Sequence, residues 1–199
     1  AFGITDETRL ILDRCAKGVD RERQIINQML ELSVLDTGNV PLNYSVFSVP
    51  DLLNRVIEKG GYKEHAEITI DVPPDLTFEA DETKIASVID TMLSNAVNYS
   101  SPPRKIRIMY QASAFDKLHR LSIQDNGFGI TDTQLDEIFE PFLETDEGAP
   151  KKKYERIGLS LSIAKKYVRM HKGYISVDSI VNIGSTFSIH LPKQKPAEL

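Results

Sequence analysis

An aspartate followed by two glycines at alternate positions, Asp125-Asn126-Gly127-Phe128-Gly129-Ile130, is the stretch of this chain best equipped for recognition chemistry. It follows Leu118-His119-Arg120-Leu121-Ser122-Ile123-Gln124, whose alternation reads as a strand with Leu121 and Ile123 on the buried face. Side chains alternate along a strand, so Asp125 shares that face and is expected to point inward. A carboxylate aimed at a core is costly unless hydrogen-bond donors reach it. The glycines remove Cβ atoms where the backbone turns, which lets a ligand come close. A buried acceptor beside bare backbone suits a flat, donor-bearing ligand such as adenine. The same residues also suit a plain hairpin corner, because Asn-Gly is a strong turn signal. This stretch alone leaves both readings open.

Two further sets of polar residues bear on the choice. Thr91, Asn95 and Tyr99 form a row along one shoulder of an apolar stripe made by Ile85, Val88, Ile89, Met92, Leu93, Ala96 and Val97. Asn95 then lies between core and cleft. Its amide oxygen suits Mg²⁺, a hard cation that shares oxygen ligands with phosphates; it equally suits an ordinary hydrogen-bonded boundary residue. Lys151, Lys152, Lys153 and Arg156 precede Gly158, which opens a helix. Free N–H groups at a helix N-terminus bind anions, although a lysine run is also what a solvated loop contains.

The elements that must position these residues follow from periodicity. A long helix is expected from Thr5 or Asp6 to about Asp36, with Ile11, Cys15, Gly18, Glu22, Ile25, Met29 and Leu32 at the 4-3 spacing of a coiled-coil seam. It calls for a partner helix, unless it lies on the surface of the following domain. Asp36 to Pro41 stops it and forms a hinge. Strands are then expected at Tyr44–Val49, Glu67–Val72, Leu76–Ala80, Arg104–Gln111, Lys117–Gln124, Tyr174–Asp178 and Ser185–Leu191. Helices are expected from Pro50, from Asp81 to Tyr99, around Gln134–Ile138 and over Leu159–Met170.

The 199 residues, 41% hydrophobic and 27% charged, fit one globular domain with an appendage. A net charge of −5 argues against a dedicated nucleic-acid binder. Cys15 is the single cysteine, which excludes an intrachain disulfide and fits a reducing, cytoplasmic setting. No apolar run approaches the ~20 residues a membrane span needs. A start at Ala1 without Met is expected of a piece cut from something longer, and a membrane segment can lie in the missing portion.

In order, the chain carries Asn95-Ala96-Val97-Asn98-Tyr99-Ser100, the turn Asp125 to Ile130, Ile138-Phe139-Glu140-Pro141-Phe142, Ile157-Gly158-Leu159-Ser160-Leu161-Ser162-Ile163 and Gly184-Ser185-Thr186-Phe187. These resemble the N, G1, F, G2 and last boxes of the catalytic and ATP-binding domain of sensor histidine kinases, a branch of the GHKL ATPase superfamily. The resemblance covers about Tyr44 to Pro192. Met29-Leu30-Glu31-Leu32-Ser33 with Gly38 is similar to the second helix of the dimerisation and histidine-phosphotransfer hairpin.

The resemblance implies an α+β fold, a two-layer sandwich of mixed sheet and helices preceded by a long helix. It divides the chain into a hairpin helix (1–40, its first helix mostly absent), a catalytic domain (41–192) and a tail (193–199). It implies Mg²⁺ and ATP as cofactors. Asp125 accepts from the adenine amino group, Tyr99 packs near the base, and Asn95 holds Mg²⁺. Gly127, Gly129 and Ile130 close on the nucleotide, with Phe142 and Lys153 beside it. Gly158, Leu159 and Ser160 meet the phosphates, and Thr186 adds a contact near adenine. It further implies transfer of the γ-phosphoryl group to a histidine for relay to a response-regulator receiver domain. It also implies a homodimer through the N-terminal helix and a cytoplasmic location, alone or as the cytoplasmic part of a membrane-anchored sensor.

Four departures stand against the pattern. No histidine lies in the N-terminal helix: the four are His65, His119, His171 and His190, so the phosphoacceptor falls outside this chain and no catalytic residue is assigned within it. Arg156 and Ser160 replace glycines of the G2 box, and Asn98 replaces a basic residue, for which Lys151 to Lys153 compensate. Thr91 occupies the place where hydrolytic relatives carry a water-activating Glu, a role threonine cannot fill. A kinase core is therefore weighed against a pseudokinase that uses the fold for dimerisation, nucleotide sensing or docking.

Overall fold

The computed structural model describes residues 5–112, 117–141 and 158–195. It divides into two compact units, Ala1–Val40 and Pro41–Leu199. The first unit is one helix, α1 (Asp6–Asp36), whose start is capped by Thr5 Oγ1 accepting from Thr8 N. It ends where the Gly38 N–H returns to Leu35 O and Thr37 Oγ1 donates to Val34 O. Ile11, Val19, Ile26 and Leu30 are largely exposed along it.

The second unit contains β1 (Tyr44–Ser48), α2 (Val49–Lys59), a 3-10 turn (Tyr62–Glu64), β2 (Glu67–Asp71), β3 (Thr77–Asp81) and α3 (Glu82–Asn98). It continues through β4 (Lys105–Ala112), β5 (Leu118–Asp125), α4 (Asp132–Leu135), α5 (Ser160–Met170), β6 (Tyr174–Ile180) and β7 (Gly184–Pro192). Five strands form a mixed sheet in the order β2-β4-β5-β7-β6, with β2 parallel to β4 and the other pairs antiparallel. β1 and β3 pair as a separate antiparallel ribbon. This is the two-layer arrangement that the resemblance implies.

The core lies between the sheet and α3 with α5. Ile106 and Ile108 of β4, Leu121 and Ile123 of β5, and Ile189 of β7 are almost wholly buried, as are Ile85, Ile89, Met92 and Leu93 of α3. Each such side chain contributes about 1.5–3 kcal/mol of transfer free energy. Helix starts follow capping chemistry. Ser48 Oγ accepts from Asp51 N, so Val49 and Pro50 open α2, and the strand expected to reach Val49 stops at Ser48. Thr131 and Gln134 form a capping box that starts α4 at Asp132, earlier than the Gln134–Ile138 segment expected, and Asp136 to Glu140 continues as turns.

Asp81 joins three elements. It ends β3 and caps α3, its Oδ1 accepting from Lys84 N and its Oδ2 from Asn43 N. Its own N–H donates to Nε2 of buried His171, just past α5, while His171 Nδ1 donates to Tyr167 O. Nearby, Lys84 Nζ lies 3.2 Å from Tyr167 Oη. The start of α3 is thereby fixed against the end of α5. The helices pack side by side, so the start of α5 lies along the second half of α3.

Two buried histidines are held neutral. Burial, helped by the charge of Lys193, pushes His119 down to about 4, and its Nδ1 lies 2.9 Å from Tyr110 Oη with its ring stacked on Phe78. Burial also lowers His171, opposed by its bond to Tyr167 and the charge of Asp81. The unfolded chain takes up these protons near 6.5. Stability from the neutral rings is therefore complete above that pH and is lost as pH falls towards about 4. Denaturant melts at pH 7.5, 5.5 and 4 should show a progressive loss, of which His119 supplies at most about 3 kcal/mol. His119→Phe should flatten the acid limb.

Candidate functional site

β5 ends at Asp125, where the chain leaves the sheet and turns under the end of α3. Asp125 Oδ1 accepts from Gly127 N at 2.8 Å and from Ser185 N at 3.2 Å. Burial raises this carboxyl above the ordinary carboxylate range, and the two backbone hydrogen bonds pull against that shift. Both bonds use one oxygen. Oδ2 is left without a hydrogen-bond partner among the described residues, so the group retains acceptor capacity for a donor from outside.

The glycines are required by what surrounds them. A Cβ at Gly127 would lie 2.5 Å from Tyr99 O, 2.7 Å from Asp125 Oδ1 and 3.0 Å from Ser100 Oγ. Phe128 N donates to that same Tyr99 O at 3.0 Å, tying the turn to the end of α3. Gly129 has φ +70°, and a Cβ there would strike the backbone of Ile180 and Val181. Asn126 braces the outer side, its Oδ1 accepting from Lys105 N and its Nδ2 donating to Pro103 O.

One helical turn before Tyr99, half-buried Asn95 lies on the shoulder of α3, and Tyr99 itself is 39% exposed beside the glycine turn. Thr91 is half-buried on the same row. Gly158 precedes the α5 N-terminus, which has neither a side-chain cap nor an acidic residue in its first turn. Leu159 is buried in the core, so only its backbone can face a ligand, while Ser160 is half-buried. Asn98 donates from Nδ2 to Ser94 O at 2.6 Å, folding back on its own helix. Phe142, Lys151 to Lys153 and Arg156 lie outside the described residues.

The structure brings Asp125, Gly127, Gly129 and Ile130 together with Tyr99 and, through α3, Asn95. It does not bring Thr186 to them. Thr186 pairs with exposed Gln124 and shares its side of the sheet, whereas Phe187 and Ser185 are buried on the other side. The residue that reaches Asp125 from β7 is Ser185. It does so through its backbone N–H, a contact set by strand register that no side-chain pattern announces. Ser179 and Ser100, both against the turn, were also missed, since nothing local marks them.

The turn holds a carboxylate with a spare acceptor oxygen, and the start of α5 offers backbone N–H groups without a side-chain cap, two features able to meet a hydrogen-bond donor and an anion. Residues 80–195 match the family described as histidine kinase-, DNA gyrase B- and HSP90-like ATPase. The chain belongs to this family. Its relatives are sensor histidine kinases: it is 29% identical to the sensor histidine kinase WalK of Bacillus subtilis over 90% of its own length, and spans 30% of WalK. The catalytic domain of histidine kinase ThkA is 26% identical, with a TM-score of 0.63 over 76% of this chain and 96% of that domain. Full-length ShkA, solved with AMPPNP, shares the fold at 21% identity, with a TM-score of 0.79 over 98% of this chain and 41% of ShkA. ThkA in complex with the response regulator protein TrrA matches at 21% identity and a TM-score of 0.68, over 98% of this chain and 52% of that chain.

The packing at Gly129 makes a direct prediction. Gly129→Ala should lower stability by about 2 kcal/mol or more, combining left-handed strain with collision against backbone that cannot yield. Gly61→Ala, at φ +63° with open space around it, should cost only the strain, about 1–2 kcal/mol. Urea denaturation of both variants checks the difference.

Proposed function

We propose that residues 41–192 are the ATP-binding kinase core of a two-component sensor, transferring the γ-phosphoryl group of ATP to a histidine outside this chain. The observation that supports this most is the half-buried Asp125 carboxylate, held through one oxygen and leaving the other to accept from the adenine amino group. Tyr99 flanks the base, and Gly127, Gly129 and Ile130 give it a backbone floor. Gly158, Leu159 and Ser160 present the N-terminus of α5 to the phosphates. Phe142 and Lys153 complete the set by resemblance. The AMPPNP complex of ShkA supports the nucleotide class.

Asn95 is the oxygen ligand proposed for Mg²⁺, and among the described residues no cluster of three or more His, Cys, Asp or Glu competes for a metal. A single protein oxygen fits an ion that takes its other ligands from phosphates and water. When bound, Mg²⁺ neutralises phosphate charge. Catalysis by this chain is then positioning: the base and phosphates are fixed while an incoming imidazole nitrogen attacks the γ-phosphorus and ADP departs. Thr91 offers no base to activate water, which preserves the phosphoryl group for the histidine.

Residues 1–40 are read as the second helix of a dimerisation hairpin, with 193–199 a tail. The whole protein is read as a homodimer that passes phosphate to a response-regulator receiver domain, a reading supported by the ThkA–TrrA complex. No helix among the described residues is long and apolar enough to cross a membrane; a cytoplasmic location stays part of this proposal. The second reading is a pseudokinase, favoured by Asn98, whose amide is engaged by Ser94 of its own helix.

Titration with Mg·ATP tests the site. Asp125→Asn keeps an oxygen for the Gly127 and Ser185 N–H groups but replaces the outer acceptor with an amide donor. It should weaken ATP binding at least about tenfold, a loss of ~1.4 kcal/mol or more, with the fold retained. Equal binding by both proteins would sink the assignment. Phosphate transfer to a supplied histidine hairpin separates kinase from pseudokinase. Sedimentation should reveal concentration-dependent pairing that Ile11→Glu and Ile26→Glu weaken; a strict monomer at all concentrations would show that α1 does not pair by itself.

A further inference from the structure

The two ends of the glycine turn are tied to the same hairpin, β6–β7, through adjacent serines. At the start, Asp125 Oδ1 accepts from Ser185 N. At the end, Ile130 N donates to Ser179 Oγ at 2.9 Å. Ser179 Oγ donates in turn to Gly184 O at 3.1 Å and lies 3.0 Å from Ser185 Oγ. A serine hydroxyl has one proton and two lone pairs, and all three are used here if Ser185 Oγ donates to it. Between these ties, Asn182 N donates to Phe128 O at 2.7 Å.

We propose that Ser179 is a positioning residue for nucleotide recognition, its hydroxyl holding the far end of the turn so that Asp125 keeps the orientation that reads an adenine amino group. This rests on the ATP reading above. Ser179 touches neither Asp125 nor the space beside it; it acts through Ile130 and Ser185. The hairpin makes its other ties to the turn through the Ser185 and Asn182 backbone N–H groups, so Ser179 is the hairpin side chain through which both ends are linked. Without its hydroxyl, Ile130 N and Gly184 O lose a shared partner and the loop can shift relative to β7, carrying Gly127 away from the Asp125 carboxylate.

The test is the affinity of the whole chain for Mg·ATP and Mg·GTP by calorimetric titration, on wild type, Ser179→Ala, Ser179→Thr and Asp125→Asn. Ser179→Ala should weaken Mg·ATP about three- to tenfold, the worth of one internal hydrogen bond. Mg·GTP should be unaffected, because guanine presents a carbonyl oxygen where adenine presents its amino group. Ser179→Thr keeps the hydroxyl on a residue suited to a strand and should restore the preference for ATP. If Ser179→Ala keeps wild-type ATP affinity while Asp125→Asn loses it, the inference falls and the ATP reading stands. An equal loss for both nucleotides that threonine does not rescue would mark a general structural role and also overturn it. If wild type binds no ATP, the reading and the inference fall together.

Discussion

A carboxylate withdrawn from water must be held by donors, and Asp125 is held by two backbone N–H groups that reach it from separate segments of the chain. One comes from its own turn, two residues on, and the other from β7 across the sheet. Leaving such a group unpaired costs several kcal/mol, so the geometry of the turn and the register of β5 against β7 are fixed by the same oxygen. Gly127 follows from this, because its N–H must approach Asp125 while its α-carbon sits against Tyr99 O. Gly184 follows too: its α-carbon packs against Asp125 O where no side chain would fit. A single desolvated acceptor thus organises the end of α3, the turn and the hairpin around itself.

The scaffold that carries this turn is stiff for different reasons. α3 buries seven apolar side chains and is capped by Asp81, whose carboxylate and N–H are all engaged. The bond from Asp81 to His171 locks the far end of α5 to the start of α3, a long lever from the site. Asn95 and Tyr99 lie at the opposite end of α3, and Gly158 precedes the opposite end of α5. Tyr62 adds a second brace, its hydroxyl donating to Asp90 Oδ1 at 2.7 Å on α3. Salt bridges contribute little here. Arg107–Asp71 and Arg120–Asp178 are exposed pairs, which are worth at most about 1 kcal/mol each.

Much of this was legible in the residues. The α3 stripe gave the helix and its face, because seven apolar positions at helical spacing admit one burial solution. Alternation through β5 placed Asp125 inward, and paired glycines marked where backbone had to come close. What was not legible depends on register between distant strands. Ser179 and Ser185 acquire meaning only once β6 and β7 are set against β5, about sixty residues apart in sequence for the Asp125–Ser185 bond. The β7 contact to Asp125 is made by the Ser185 N–H, one position before the Thr186 that the resemblance implies. Nothing near His171 in the sequence marks its partner, yet it is buried and accepts from Asp81 N, a contact across ninety positions.

The division of labour within the site follows from where the rigidity lies. The turn at Asp125 is assembled from a strand end, a helix end and a hairpin, tied together by backbone N–H groups that donate to backbone carbonyls and to the side chains of Asp125 and Ser179. In the proposed kinase reading the phosphates face Asn95 and the start of α5, and the departures from the family pattern, Thr91, Asn98, Arg156 and Ser160, gather around those same motifs in the sequence. Asn98 already spends its amide on Ser94. On that reading, affinity for a nucleotide and competence to move its phosphate are set by different parts of the chain: the turn at Asp125 speaks to the first property and leaves the second to the start of α5.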